Sequence, residues 1–142
     1  MDRFGQSSSG GLVLPVLPVP VVVADPDPVS ALVLAEIITG TGAAIDVVQD
    51  VDALLRRLAA APVPAVVVLV APLPGASLPT ALQICAEAVP SAARVALVDQ
   101  DSPVARITAL DAGADIVLAL PVHAGELRSA LAAVLRRTSV GV

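Results

Sequence analysis

Carboxylates in two loops are the residues of this sequence best suited to bind a metal. Asp25 and Asp27 follow one apolar run, and Asp99 and Asp101 follow another. Loop carboxylates of this kind suit Mg²⁺ or Ca²⁺, which prefer oxygen ligands. A structural interpretation is favoured, because Asp27 is a good helix N-cap and Asp99 and Asp101 lie in a loop before a helix. We therefore predict neither a metal site nor a cofactor.

Nucleophiles and phosphate-binding loops give only weak signals. Cys85 falls at an inward helical position, where a buried and inert thiol is expected. His123 is the single histidine and stands near the start of a helix, which favours a surface or capping role. Ser77 lies in G-A-S-L-P, which lacks the second glycine of a nucleophile elbow. The chain is predicted not to be an enzyme.

Charge and apolar content narrow the class of protein. The chain has 142 residues and a formal charge of −5, and every basic residue is arginine. An acidic protein lacks the counterion release that drives non-specific nucleic-acid binding. Prolines interrupt the apolar stretches at 4–24 and 58–86, which argues against a membrane span and a secretory signal. We expect a cytoplasmic protein that binds neither nucleic acid nor membrane.

Five apolar runs alternate with five amphipathic segments. Strands that alternate with helices require βαβ crossovers, so one parallel sheet with helices on both faces is predicted, a three-layer α/β sandwich. The second strand carries Asp46 and is expected nearer an edge. The predicted strands are Val21–Ala24, Ile45–Gln49, Ala65–Val70, Arg94–Val98 and Asp115–Leu120. The predicted helices run from Pro28 to about Thr39, from Val51 up to Pro62, over Leu78–Val89, from Pro103 up to Gly113, and from about His123 to Arg137.

Helical spacing assigns each helix one apolar face. Asp27 and Asp50 are expected to cap the first two helices. The predicted faces are Leu34, Ile37 and Ile38; Val51, Leu54, Leu55 and Leu58; Leu82, Cys85 and Val89; Val104, Ile107 and Leu110; and Leu127, Leu131, Val134 and Leu135.

A single domain accounts for most of the chain. Residues 20–138 hold the five strands and helices, between an N-terminal arm at 1–19 and a tail at 139–142. Recurring prolines predict an extended arm. The arm contains a P-x-x-P pattern at Pro15–Pro18, which is typical of polyproline ligands. An apolar lead-in that lies against the domain or against a neighbouring subunit is favoured over that role.

The third strand is predicted to lie at the centre of the sheet. Residues 65–75 read A-V-V-V-L-V-A-P-L-P-G, a β-branched run that ends abruptly in a loop. Such a run is typical of a parallel strand buried on both faces. Ligands of open α/β sheets bind where strands end, yet the last residue of this strand is Val70. The side chain of valine has no polar or reactive group at that position.

Four segments in order resemble the receiver domain of two-component response regulators. They are V-V-V-A-D-P-D-P at 21–28, the third-strand segment at 65–75, A-L-D-A-G-A-D-I-V-L at 109–118 and L-P-V-H-A-G-E-L at 120–127. The resemblance covers about residues 20–138. It implies a flavodoxin-like sheet in the order 2-1-3-4-5 and a place in two-component or phosphorelay signalling.

The resemblance also implies what each position of the site would do. A receiver holds Mg²⁺ with two acidic residues after strand one, is phosphorylated on an Asp ending strand three, and binds the phosphoryl group with a Thr or Ser and a Lys ending strands four and five. Asp25 matches the first acidic residue. The other positions have lost their chemistry and fall on Pro26, Val70, Val98 and Leu120, with the aromatic switch position on Val117. The chain therefore resembles a pseudo-receiver, whose phosphorylation site has become packing.

Two surfaces follow from this interpretation. The face formed by helix four, strand five and helix five is a common docking and dimerisation surface of receivers, which here implies a protein partner or a homodimer. Pro26, Val70, Val98 and Leu120 are expected to form one apolar crevice, filled by its own side chains. The main hypothesis is a phosphorylation-independent, protein-binding signalling module, and the alternative is a domain that binds a small molecule at the C-terminal sheet edge. The docking face includes Arg106, Asp111, Asp115, Glu126, Arg128 and Arg136. An ordinary solvated face is the alternative to docking for these residues.

Overall fold

A five-stranded parallel sheet forms the middle layer of the protein. The computed structural model describes residues 18–99 and 103–140, with side chains described up to Arg136. The strands lie in the order β2-β1-β3-β4-β5, which confirms the predicted flavodoxin-like α/β topology. The strands are β1 (Val19–Ala24), β2 (Ala43–Val48), β3 (Val66–Val70), β4 (Ala93–Val98) and β5 (Ile116–Ala119).

Helices cover both faces of the sheet. The side chains of α1 and α5 pack in one core cluster, and those of α2, α3 and α4 pack in a second cluster on the opposite face. This arrangement follows from right-handed crossovers between parallel strands. The helices are α1 (Pro28–Thr39), α2 (Val51–Leu58), α3 (Leu78–Ala88), α4 (Pro103–Asp111) and α5 (Ala124–Val140).

Strand β3 lies at the centre of the sheet, as its sequence predicts. Every residue from Val66 to Val70 is buried, and the strand pairs with β1 on one side and β4 on the other. Successive side chains alternate between faces, so Val67 and Leu69 join the cluster under α2, α3 and α4, and Val68 and Val70 join the cluster under α1 and α5. A continuous apolar run is therefore what this position requires.

Strand β2 is an edge strand, and its exposed Asp46 agrees with the prediction from sequence. The Asp46 carboxylate accepts a hydrogen bond from Nε of Arg57 at 2.7 Å. This ion pair joins β2 to the end of α2. A charged residue on an edge strand also opposes pairing with a further strand.

Polar side chains cap the first three helices. The Asp27 carboxylate accepts a hydrogen bond from the backbone N–H of Val29 at 3.0 Å, and that of Asp50 accepts one from Ala53 at 2.8 Å. Both caps confirm the prediction. Ser77 caps α3, where its hydroxyl accepts from the N–H of Thr80.

Helix α4 does not bury the large residues on its predicted apolar face. Val104, Ile107 and Leu110 have exposed fractions of 74%, 57% and 46%. Ala109 is fully buried instead, and Ala105 and Ala112 pack against the same core cluster. The helical spacing correctly predicted that the three large residues share one face of α4. That face is exposed, and the face turned to the sheet is lined with alanine. The faces of the other helices agree better, with Leu55 exposed, and Ile37, Val51 and Leu135 half-buried.

Some predictions lie outside the described residues. The P-x-x-P pattern begins in residues 1–17, and Asp101 lies in the 100–102 segment. Within the described part of the chain, no helix combines the length and apolarity that a bilayer span requires.

Candidate functional site

Among the described residues, Asp25 is the one acidic residue buried at the C-terminal edge of the sheet. Its exposed fraction is 1%, and its backbone N–H donates to the carbonyl oxygen of Val48 at 2.9 Å. Its Oδ1 atom accepts from the N–H of Asp27 at 2.9 Å. Its Oδ2 atom is buried and has no hydrogen-bond partner among the described residues. One carboxylate oxygen of Asp25 therefore bonds to the turn that leads into α1, and the other has no partner among the described residues.

The predicted apolar crevice is divided by the sheet. Val70 packs with the α1 and α5 cluster, and Leu120 lies half-buried against that cluster. Val98 belongs to the cluster on the opposite face. Val70 pairs in register with Leu97, so Val98 is one residue further along and points the other way. The prediction of a single crevice is therefore wrong, and Pro26 is half-buried outside both clusters.

The described residues at the strand ends do not fit a bound magnesium ion. Mg²⁺ needs near-octahedral oxygen coordination, commonly with one or two carboxylates at fixed positions. Asp25 offers one unpartnered oxygen, whereas Asp27 caps α1 and Asp99 is exposed. Within 18–99 and 103–140, no group of three His, Cys, Asp or Glu residues is placed to hold a metal.

Val117, which the receiver resemblance assigns to the aromatic switch position, is buried beneath α4. Val117 on β5 has an exposed fraction of 6%. Its carbonyl oxygen accepts a hydrogen bond from Nη1 of Arg106 at 3.2 Å. The interaction connects the middle of α4 with the edge strand.

The predicted docking face contains two kinds of residue. Arg106 is half-buried and bonded to β5, and the Asp115 carboxylate accepts from the backbone N–H of Arg94 at 2.7 Å. These two residues form hydrogen bonds within the domain, although Asp115 is also exposed. The other four are exposed on α4 and α5, namely Asp111, Glu126, Arg128 and Arg136.

Sequence reasoning missed Arg94, which organises the opposite, N-terminal edge of the sheet. Its Nε atom donates to the carbonyl oxygen of Gly113 at 2.8 Å. Gly113 has a φ of 111°, in the left-handed region that favours glycine. Nη1 of Arg94 is buried without a partner among the described residues. Arg94 and Asp115 are 21 positions apart, so no local sequence pattern predicts the hydrogen bond between them.

Cys85 and His123 lie where their predicted roles place them. Cys85 is completely buried, and burial raises the pKa of its thiol from 9.0 to about 11, against a smaller opposing effect of Arg94. A thiol so seldom ionised is a poor nucleophile. His123 is exposed at the start of α5, where its carbonyl oxygen accepts from the N–H of Leu127.

Two cavities open near the C-terminal ends of the strands. One, of about 250 Å³, lies between α1 and the segment after β5 and is lined in part by Val33, Leu34 and Leu120. The other, of about 350 Å³, lies between α3 and α4, beside Val98 at the end of β4. The sequence favoured strand ends filled by their own side chains, and a small-molecule site at this edge was the alternative hypothesis.

Comparison with known proteins identifies the class of fold. No protein-family model and no curated protein matches the sequence. A response regulator receiver domain from Methanospirillum hungatei superposes with a TM-score of 0.80 at 15% identity, covering 88% of this chain and 99% of that one. A receiver domain protein from Clostridium thermocellum gives 0.80 at 19% identity, covering 87% and 99%.

A third solved structure with a similar fold was determined in a phosphorylated form. It is a response regulator protein from Burkholderia pseudomallei with a phosphorylated aspartic acid, a calcium ion and citrate. It superposes with a TM-score of 0.72 at 24% identity and covers 85% of this chain and 69% of that one. The protein therefore has the fold of response-regulator receiver domains.

Proposed function

We propose that this chain is a phosphorylation-independent receiver-like module of a two-component or phosphorelay-type regulator, acting through protein contacts and not as an enzyme. The observation that carries the proposal is Val70, which ends the central strand with an exposed fraction of 6% and packs into the core. The resemblance to receivers assigns the phosphoacceptor to this position. Valine has no oxygen with which to accept a phosphoryl group.

The neighbouring positions support the same conclusion. Phosphorylation of an aspartate needs a carboxylate nucleophile, a divalent cation, and positive charge to balance the product. In receivers, Mg²⁺ supplies the charge that stabilises the transferring phosphoryl group. Here Pro26 replaces the second acidic residue and Leu120 replaces the lysine. A lysine without its aspartate would be a buried unpaired charge, so an apolar replacement of the whole set is consistent.

The surface that we propose for contact lies on α4 and α5. We define the α4 stripe as Val104, Ile107 and Leu110, three exposed aliphatic residues on one side of the helix. Large exposed apolar groups of this kind are typical of interaction sites. Exposed charges of both signs also lie on α4 and α5, carried by Asp111, Glu126, Arg128 and Arg136.

A homodimer is the partner that we favour for this surface. In a two-fold symmetric contact the same patch meets itself, so a face with mixed charge can form crossed ion pairs around an apolar centre. The α4 stripe and the charges on α4 and α5 provide both parts. A cytoplasmic location, where two-component regulators receive their signals, belongs to the same proposal.

Incubation with a small phosphodonor tests the loss of phosphorylation. The protein is mixed with acetyl phosphate and Mg²⁺, and its intact mass is followed alongside a receiver domain that retains its aspartate. We expect that the control gains one phosphoryl group and that this chain keeps its mass. A phosphoryl group found on Asp25 or any other aspartate by fragmentation would refute the proposal.

A further inference from the structure

The cavity between α3 and α4 lies where the third and fourth strands end. Its volume of about 350 Å³ falls within the range of small-molecule sites, which begins near ~300 Å³. Its lining includes two polar residues, Asp99 and Thr108. The remaining wall is apolar and consists of Ala71, Pro72, Leu78, Pro79, Val98 and Ala105.

The orientation of α4 explains why this space is not filled. The cavity is open to solvent and is not an enclosed void. Large side chains from a helix normally fill the space beside a strand end. Here α4 turns Val104 and Ile107 to the solvent and presents Ala105 and Thr108 to the cavity. The short side chains leave the space beside Val98 unfilled.

The lining residues select a particular ligand chemistry. None of the eight described residues that line the cavity is positively charged, so it offers no ion pair to a phosphate or carboxylate. The apolar wall favours a hydrocarbon body. The Asp99 carboxylate accepts hydrogen bonds and favours a cation, and the Thr108 hydroxyl can accept another. Because a liquid water occupies ~30 Å³, the space suits roughly a dozen non-hydrogen atoms.

We propose that this cavity binds a small apolar molecule that carries one protonated amine. The amine donates to the Asp99 carboxylate and the Thr108 hydroxyl, and the apolar body lies against Pro72, Leu78 and Val98. Of the four residues predicted to form a crevice, only Val98 lines this cavity. The proposal gives a location and a ligand class to the alternative hypothesis of a small-molecule site at this edge. The inference does not depend on the proposed signalling function, because binding is measured on the domain itself.

Titration with a matched pair of probes tests the proposal. The probes are 4-tert-butylbenzylamine and 4-tert-butylbenzoate, which share a body of suitable size and differ in charge. Methyl and amide NMR signals of the full chain are followed. We expect the amine to shift Leu78 and Val98 and to saturate with a dissociation constant on the order of 1 mM, which is typical of such a small ligand. The carboxylate is expected to bind at least tenfold more weakly.

Two substitutions locate the site. Asp99→Asn is expected to weaken binding of the amine at least fivefold, because it removes the charge that pairs with the ammonium group. The control Glu87→Gln removes one negative charge from an exposed position on α3 outside the cavity and is expected to leave binding unchanged. Ala105→Leu is expected to fill the cavity and abolish binding, with thermal unfolding used to confirm a folded domain.

Several results would overturn the proposal. They are equal binding of amine and carboxylate, equal effects of Asp99→Asn and Glu87→Gln, and shifts confined to the α1 face of the sheet. If Ala105→Leu does not fold, the comparison of the Asp99 and Glu87 variants still decides the question.

Discussion

Arg106 on α4 donates from Nη1 to the backbone carbonyl oxygen of Val117 on β5, over 3.2 Å. The acceptor residue, Val117, is the position that the receiver resemblance assigns to the aromatic switch. It gives α4 a polar attachment to the sheet in addition to its alanine packing. Because the acceptor is a backbone oxygen, the interaction is independent of the side chain at position 117.

Arg106→Met is expected to destabilise the domain by about 1 kcal/mol. Methionine keeps an apolar stem but loses the donor, and a hydrogen bond from a charged group contributes about 1.5–3 kcal/mol when well buried. Arg106 is half-buried, so we expect less. Urea unfolding measures the change. Arg106→Lys serves as control and is expected to lose less; equal stability of Arg106→Met and the unchanged protein would show that the bond contributes nothing.

Placing a carboxylate at the end of β3 is expected to destabilise the protein. Val70→Asp places an uncompensated charge in the core, at a penalty of about 3 kcal/mol or more. Val70→Ala measures the loss of packing alone and is expected to lose about 1–2 kcal/mol. Denaturant unfolding of both variants separates the two contributions.

The same variant also tests the rest of the site. With Pro26 and Leu120 in place, we expect Val70→Asp to remain unphosphorylated by acetyl phosphate, because neither residue binds a cation or balances negative charge. Rapid phosphorylation of this variant, measured by intact mass, would show that the residues around position 70 can support phosphoryl transfer.

Ile107→Ser is expected to weaken self-association without unfolding the domain. The Ile107 side chain has an exposed fraction of 57%, so its replacement is expected to change stability by no more than about 0.5 kcal/mol. Loss of an apolar residue from the centre of an interface raises a dissociation constant roughly tenfold or more. Multi-angle light scattering over a concentration series measures the effect.

The matched control for this prediction is Leu32→Ser on α1, which removes an aliphatic residue with an exposed fraction of 70% from another surface. We expect it to leave self-association unchanged. A protein that is monomeric at every concentration, or a larger effect of Leu32→Ser, would exclude the α4 stripe as the dimer contact.

Stability is expected to fall between about pH 9 and pH 11 because of Cys85. Burial raises the pKa of its thiol from 9.0 to about 11, so in this range the unfolded chain releases a proton that the folded chain retains. Ionisation therefore favours the unfolded state, at about 1.4 kcal/mol per pH unit. Below pH 9 the thiol is protonated in both states and contributes no slope.

The amino-acid composition allows the effect of Cys85 to be measured without overlap from other side chains. The chain contains no Tyr and no Lys, so Cys85 is the one side chain that titrates in this range. Urea unfolding at half-unit pH intervals gives the slope. The Cys85→Ala variant is expected to lose the slope, and an identical fall in that variant would assign the effect to something other than the thiol.

Local signals in the sequence were sufficient for the main elements of the fold. The apolar run at 66–70, the Asp27 and Asp50 caps and the edge position of β2 depend on neighbouring residues, and each was predicted correctly. The sheet order came from the receiver resemblance and is confirmed.

The arrangement at the strand ends depends on features that no local pattern contains. The register that pairs Val70 with Leu97 separates Val70 from Val98, and a sequence does not reveal the register between two distant strands. The apolar spacing of α4 likewise shows which residues share a face, but not which face meets the sheet. The small residues at 105, 109 and 112 were the available signal, because alanines allow a helix to approach a sheet closely.

The alanine face of α4 has a consequence for local unfolding. Among its described residues α4 fully buries Ala109 alone, whereas α5 buries Leu127, Leu131 and Val134. Each buried methylene group contributes about 0.8 kcal/mol, so detaching α4 exposes much less apolar surface than detaching α5. Segments with few buried apolar contacts open most often. We therefore expect the amide hydrogens of α4 to exchange with deuterium faster than those of α5, while the central sheet remains protected.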